Sequence, residues 1–109
     1  MPLLYNKNIE DIYKMMEHLN GVLFCGGVCD FDMEYYNFAK AVYQRAKKMN
    51  DEGNYFPLWG TCMGFQEFAQ FEAGRDAVGN YTYFEISLPL KFIVNPMETR
   101  LYSHFGVSV

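Results

Sequence analysis

A cysteine set between glycines, Gly60-Thr61-Cys62-Met63-Gly64, follows the apolar run Tyr55-Phe56-Pro57-Leu58-Trp59. That order of residue types describes a buried strand, a sharp turn and a helix, with a thiol at the tip of the turn. It is a nucleophile elbow carrying cysteine. A residue at such a tip is held in a strained backbone conformation, and its side chain projects above the sheet. Glycines flank it because strand and helix backbones pass too close for a Cβ. The thiol also stands at a helix N-terminus, whose partial positive charge favours the thiolate, the reactive form. The alternative is a cysteine that serves as a small buried hydrophobe in a strand–helix turn. The apolar run before the motif and the helical pattern after it supply the context that a nucleophile elbow demands.

Other candidate groups are sparse. Cys25 and Cys29 are four apart in a glycine-containing loop, and no second ligand pair accompanies them at metal-site spacing, so no metal and no cofactor is expected. His18 falls on a helix before the first strand and His104 lies well beyond the elbow. A general base must come within about 3 Å of the thiol, directly or through one water, and the spacing brings neither histidine there. Glu67 and Glu72 read as solvated charges on the helix after the elbow. Asn80-Tyr81-Thr82 is a glycosylation sequon, meaningful only on the secretory route.

The elements that must position Cys62 follow from periodicity. Leu3-Leu4-Tyr5 reads as a short strand or strand end. Asn8 is an N-cap, with Asp11 in the first turn, and Ile9, Ile12, Met15, Met16 and Leu19 recur at helical spacing until Asn20-Gly21. Val22-Leu23-Phe24-Cys25 is a continuous apolar run, read as a strand buried on both faces and closed by Gly26-Gly27. After a loop with Asp30 and Asp32, the positions Tyr35, Phe38, Ala39, Val42, Tyr43 and Ala46 form a second helical stripe with basic residues in its later turns. A turn cluster at residues 50–54 leads into the strand at 55–61, and the next helix stops at Gly74. Residues 81–88 alternate with the period of a strand, Pro89 and Pro96 bound a short apolar run, and residues 97–105 read as a last short helix.

Strand, helix, strand, helix, strand, helix is the order of an α/β domain with a parallel sheet. Ligands bind such sheets at the carboxyl ends of the strands, where both Gly26-Gly27 and Cys62 stand. At 109 residues the chain is at most one domain, and with 50% hydrophobic and 18% aromatic residues it can bury a sizeable core. A net charge of −4 without a basic stripe argues against nucleic acid, and no apolar stretch is long enough to cross a bilayer. The N-terminus lacks the pattern of a signal peptide.

Three stretches together resemble the γ-glutamyl hydrolases, a branch of the class I glutamine-amidotransferase-like cysteine hydrolases. They are Asn20-Gly21-Val22-Leu23-Phe24-Cys25-Gly26-Gly27, the tyrosine-bearing helix after it, and the run from Asp51 through Tyr55-Phe56-Pro57-Leu58-Trp59-Gly60-Thr61-Cys62 to Phe65. The resemblance is strongest over residues 20–72. A glutaminase domain is the neighbouring reading, since Gly60-x-Cys62-x-Gly64-x-Gln66 fits its register, but Tyr-Phe-Pro-Leu-Trp upstream is specific to the hydrolase branch.

The resemblance implies a partial flavodoxin-like three-layer sandwich with a mostly parallel sheet. It implies an omega peptidase that cleaves γ-glutamyl bonds of folate and antifolate polyglutamates, with Cys62 as nucleophile and backbone N–H groups of Gly26, Gly27 and Met63 as oxyanion hole. It also implies a lysosomal, vacuolar or extracellular location and a homodimer in the full-length family. The family's catalytic histidine belongs to a Trp-His-Pro-Glu type motif far downstream, which these 109 residues do not contain. Cys25 stands where the family usually has proline, and Gln66 where it usually has glutamate. The chain thus reads as residues 1–109 of one partial domain, a fragment or degenerate copy expected to be poorly active and unstable by itself.

Overall fold

The Asn8 side chain accepts the Glu10 N–H at 2.9 Å and so starts the first helix, α1 (Ile9–Met16). In the computed structural model, which describes residues 1–28, 30, 33–79 and 85–105, it is followed by β1 (Val22–Phe24), α2 (Glu34–Asp51), β2 (Leu58–Gly60) and α3 (Met63–Ala73). The class is α/β, and β1 and β2 pair in parallel with Val22 opposite Leu58, Leu23 opposite Trp59 and Phe24 opposite Gly60. Two parallel strands joined through a helix are compatible with a partial flavodoxin-like fold.

α2 is the central support. Its buried positions Ala39, Val42, Tyr43, Ala46 and Met49 follow helical spacing and gather Ile12 and Met16 of α1, Phe24 of β1 and Phe56 into one apolar cluster. Fully burying a side chain the size of Val, Ile, Met or Phe contributes about 1.5–3 kcal/mol. The helix runs past Ala46 to Asp51, so Asn50 and Asp51, expected in the turn cluster, are its last residues. It ends in a Schellman arrangement: the Asn54 N–H reaches the Met49 carbonyl at 2.9 Å and the Gly53 N–H the Asn50 carbonyl at 3.0 Å. Gly53 has φ +85°, which only glycine adopts cheaply. Asn50 then clamps the strand entry. Its amide donates to the Phe56 carbonyl at 2.8 Å and accepts from the Phe56 N–H at 2.9 Å. The loop from helix to strand is thereby tied at both ends, and β2 arrives beside β1.

Several expectations need correction. The run at residues 22–25 is not buried on both faces. Val22, Phe24 and Leu58 join the helices' cluster, whereas Leu23 and Trp59, on the opposite face, are 58% and 54% exposed. Among the described residues the helices cover one face only. Leu3-Leu4-Tyr5 forms no strand, and the Leu4 carbonyl accepts the Lys7 N–H across a turn at Tyr5-Asn6. α1 stops at Met16, and His18 and Leu19 continue it only with three-residue turns onto Met15 and Met16.

Of the strand expected at 81–88, residues 81–84 fall outside the described ones, as does the sequon at 80–82, and residues 85–88 form no strand. Without a neighbour to hydrogen-bond, alternation alone makes no strand. The expected helix at 97–105 reduces to a single 3-10 turn at Pro96–Glu98 followed by further turns. Asn95 caps it by accepting from Met97 N–H at 3.1 Å, but Thr99 closes it onto the Pro96 carbonyl. No helix of the described residues is long and apolar enough to cross a membrane.

Candidate active site

Cys62 is the residue between β2 and α3, and its φ is +54° with ψ −110°. A non-glycine residue there is strained by about 1–3 kcal/mol, and such strain persists only where the surroundings enforce it. They do so through two glycines. A Cβ on Gly60 would stand 2.6 Å from the Gly64 carbonyl carbon and 2.7 Å from Phe65 N. A Cβ on Gly64 would stand 2.5 Å from the Phe24 carbonyl oxygen and 2.6 Å from Phe24 Cβ. β2 therefore lies directly against the first turn of α3, and that turn against β1. Hydrogen bonds fix the corner: Thr61 N–H donates to the Phe24 carbonyl at 3.0 Å, and the Cys62 carbonyl accepts from Phe65 and Gln66 N–H at 3.1 Å each. The chain has no freedom to turn from strand to helix by a wider path.

The loop after β1 forms the other wall. A Cβ on Gly26 would lie 3.3 Å from Cys62 Cβ and 3.9 Å from Cys62 Sγ, so the backbone of Gly26 borders the thiol directly. Gly27 faces the Met63 side chain, with Met63 Cε 3.6 Å from the same construction. Gly26 thus borders Cys62 and Gly27 borders the next residue, Met63, and the N–H groups of Gly26, Gly27 and Met63 have no acceptor among the described residues. Both Cys62 and Cys25 are free, exposed thiols. No described side chain, His18 and His104 included, is hydrogen-bonded to Cys62 Sγ, and both histidines are exposed. Among the described residues no group of three ligating side chains suits a metal ion.

Glu67, one turn into α3, departs from the solvated charge expected of it. It is 2% exposed, and neither carboxylate oxygen has a hydrogen-bond partner. Loss of hydration pushes its carboxyl up to about 7. The signal was present in the spacing: Glu67 lies three residues after Gly64 and four before Phe71, on the flank of the packed stripe. Glu72, in contrast, is exposed and accepts from Lys47 Nζ at 2.5 Å and from the Tyr43 hydroxyl at 2.8 Å. Those two hydrogen bonds hold its carboxyl below the usual range. The Tyr43 hydroxyl is pushed up to about 12, first by burial and then by the Glu72 carboxylate it serves.

Comparison with known proteins gives a consistent set of relatives. The chain is 33% identical over 106 residues to "Gamma-glutamyl hydrolase" of Bos taurus, covering 96% of this chain and 33% of that protein. It is 30% identical over 112 residues to "Gamma-glutamyl hydrolase B" of Dictyostelium discoideum, covering 100% of this chain and 32% of that protein. With "Gamma-glutamyl hydrolase" of Homo sapiens the identity is 29% over 106 residues, again 96% of this chain and 33% of the relative. No family model matches. The chain spans about a third of the length of the curated relatives it matches.

Proposed function

The chain belongs to the γ-glutamyl hydrolase family, and from that premise we propose that its elbow is the nucleophile side of a cysteine hydrolase acting on the γ-glutamyl bonds of folate and antifolate polyglutamates. Cys62 attacks the γ-amide carbonyl and forms a thioester, the amine departs with a proton, and water cleaves the thioester to free the acid. The oxyanion of each tetrahedral intermediate accepts from Met63 N–H and from Gly26 or Gly27 N–H. The observation that carries this reading is a cysteine at φ +54° on a helix N-terminus, with Gly26 as its immediate wall and three N–H groups left without described acceptors. A lysosomal, vacuolar or extracellular site of action and a homodimer of the full-length protein belong to the same reading.

The chemistry also needs a group to receive the thiol proton and deliver it to the leaving amine. Such a group is worth about 10²–10⁴ in rate. No described side chain is hydrogen-bonded to Cys62 Sγ, so the 109-residue chain by itself turns over slowly or not at all. The test is release of glutamate from a folate polyglutamate by the purified chain, with Cys62→Ala as control. Weak, Cys62-dependent release is the expected result. Fast turnover that Cys62→Ala abolishes would overturn the low-activity reading, and release that survives Cys62→Ala would overturn the nucleophile assignment.

A further inference from the structure

The strand register brings a second thiol to the proposed nucleophile. Phe24 pairs with Gly60, and the Thr61 N–H donates to the Phe24 carbonyl at 3.0 Å. One residue further, Gly26 stands against Cys62, with the 3.3 Å approach between their Cβ positions. Cys25 is therefore held between two points at which the chains touch. Cys25 is bonded to Gly26, so one peptide unit, about 3.8 Å from Cα to Cα, separates it from the residue that borders Cys62. Both thiols are free and exposed, and neither is hydrogen-bonded to another described group. Successive side chains alternate across a strand, so joining the sulfurs requires the Cys25 peptide to rotate. Gly26 and Gly27 follow at once, and neither has a side chain to oppose that rotation.

We propose that Cys25 is a resolving thiol for Cys62, and that a peroxide converts the pair reversibly to a disulfide that switches the site off. The proposal rests on Cys62 being the reactive thiol, and concerns how that thiol is regulated. The Cys62 thiol takes one oxygen from the peroxide, which breaks its O–O bond and releases water or an alcohol, and becomes a sulfenic acid. The Cys25 sulfur then attacks the Cys62 sulfur. The S–S bond forms, the S–O bond breaks and water leaves, so the two thiols have lost two electrons and two protons to the peroxide. The bridge occupies the nucleophile and also turns Gly26 away from the oxyanion position. Without Cys25, the sulfenic acid is open to further oxidation that thiols do not reverse.

The experiment treats the folded full chain with hydrogen peroxide, then measures Cys62 alkylation by iodoacetamide and maps peptides by mass spectrometry. The expected result is loss of Cys62 labelling, a Cys25–Cys62 bridged peptide, and full recovery of labelling with dithiothreitol. Cys29→Ser behaves as the unaltered chain, while Cys25→Ser loses labelling that dithiothreitol does not restore. A bridge from Cys62 to Cys29, or recovery in Cys25→Ser equal to that of the unaltered chain, would overturn the proposal alone. Cys62 labelling no faster than Cys25 and Cys29 before any peroxide would overturn it together with the nucleophile assignment.

Discussion

Gly60 and Gly64, on the elbow side of the thiol, press against backbone, whereas Gly26 and Gly27, on the loop side, face side-chain atoms. A Cβ on Gly60 or Gly64 would come within 2.5–2.7 Å of main-chain atoms that cannot move without shifting a strand or a helix. On Gly26 and Gly27 the nearest approaches are 3.3 and 3.6 Å, to Cys62 Cβ and to the end of Met63. The same residue type therefore does two different things. On one wall it lets three elements meet and so enforces the strained Cys62; on the other it leaves room beside the thiol. A parallel contrast runs along α3, where Glu67 is buried without partners and Glu72 is exposed with two. Rigid, costly placement collects at the start of α3, and adjustable, solvated contacts at its end.

The strongest way to break this contrast is Gly64→Ala. An alanine within a helix ordinarily gains up to about 1 kcal/mol over glycine, and less in the first turn, where Gly64 stands. Here the added methyl meets the Phe24 carbonyl oxygen at 2.5 Å, and the net loss is about 3 kcal/mol or more. Urea denaturation followed by circular dichroism measures it, and a stability equal to the unaltered chain would show that α3 can slide off β1.

The next effect has the opposite sign. The Glu67 carboxyl rises from the usual 4.5 to about 7, so the folded chain binds this proton more tightly than the unfolded one. Stability is then greatest below pH 4.5, falls as the unfolded carboxyl ionises, and reaches its lower level above pH 7, a total of about 3 kcal/mol. Glu67→Gln abolishes this component. It stabilises the chain at pH 8 by up to about 3 kcal/mol and changes little at pH 4, as read from denaturation at both values. A gain equal at the two pH values would place the burial cost elsewhere.

Gly26→Ala tests the loop wall. The fold should lose only about 1 kcal/mol, because one side-chain contact at 3.3 Å can relax. Alkylation of Cys62 should slow, since the new methyl stands 3.9 Å from its sulfur. Unchanged alkylation would mean that Gly26 does not border the path to the thiol. The smallest effect belongs to Glu72→Gln. It removes an exposed ion pair with Lys47, and no change in the denaturation midpoint is expected.

Local sequence was enough to read the elements closest to the thiol. The Asn8 cap, the α2 stripe, the Gly60/Cys62/Gly64 spacing and the stop at Gly74 are written in short-range patterns, because caps, periodicity and close approach act over one or two turns. The elbow's strain followed from its glycines for the same reason. The apolar run at residues 22–25, by contrast, does not reveal which of its faces is covered, and the exposure of Leu23 depends on where the helices settle. The alternation at 81–88 became no strand over 85–88, since a strand exists only through its neighbour. Glu67 and Glu72 have the same side chain on the same helix. Only packing buried one and paired the other, because burial and hydrogen-bond partners are properties of what surrounds a residue and not of the residue itself. The closeness of Gly26 to Cys62 is likewise a product of strand register, which brings together residues 36 apart in the chain.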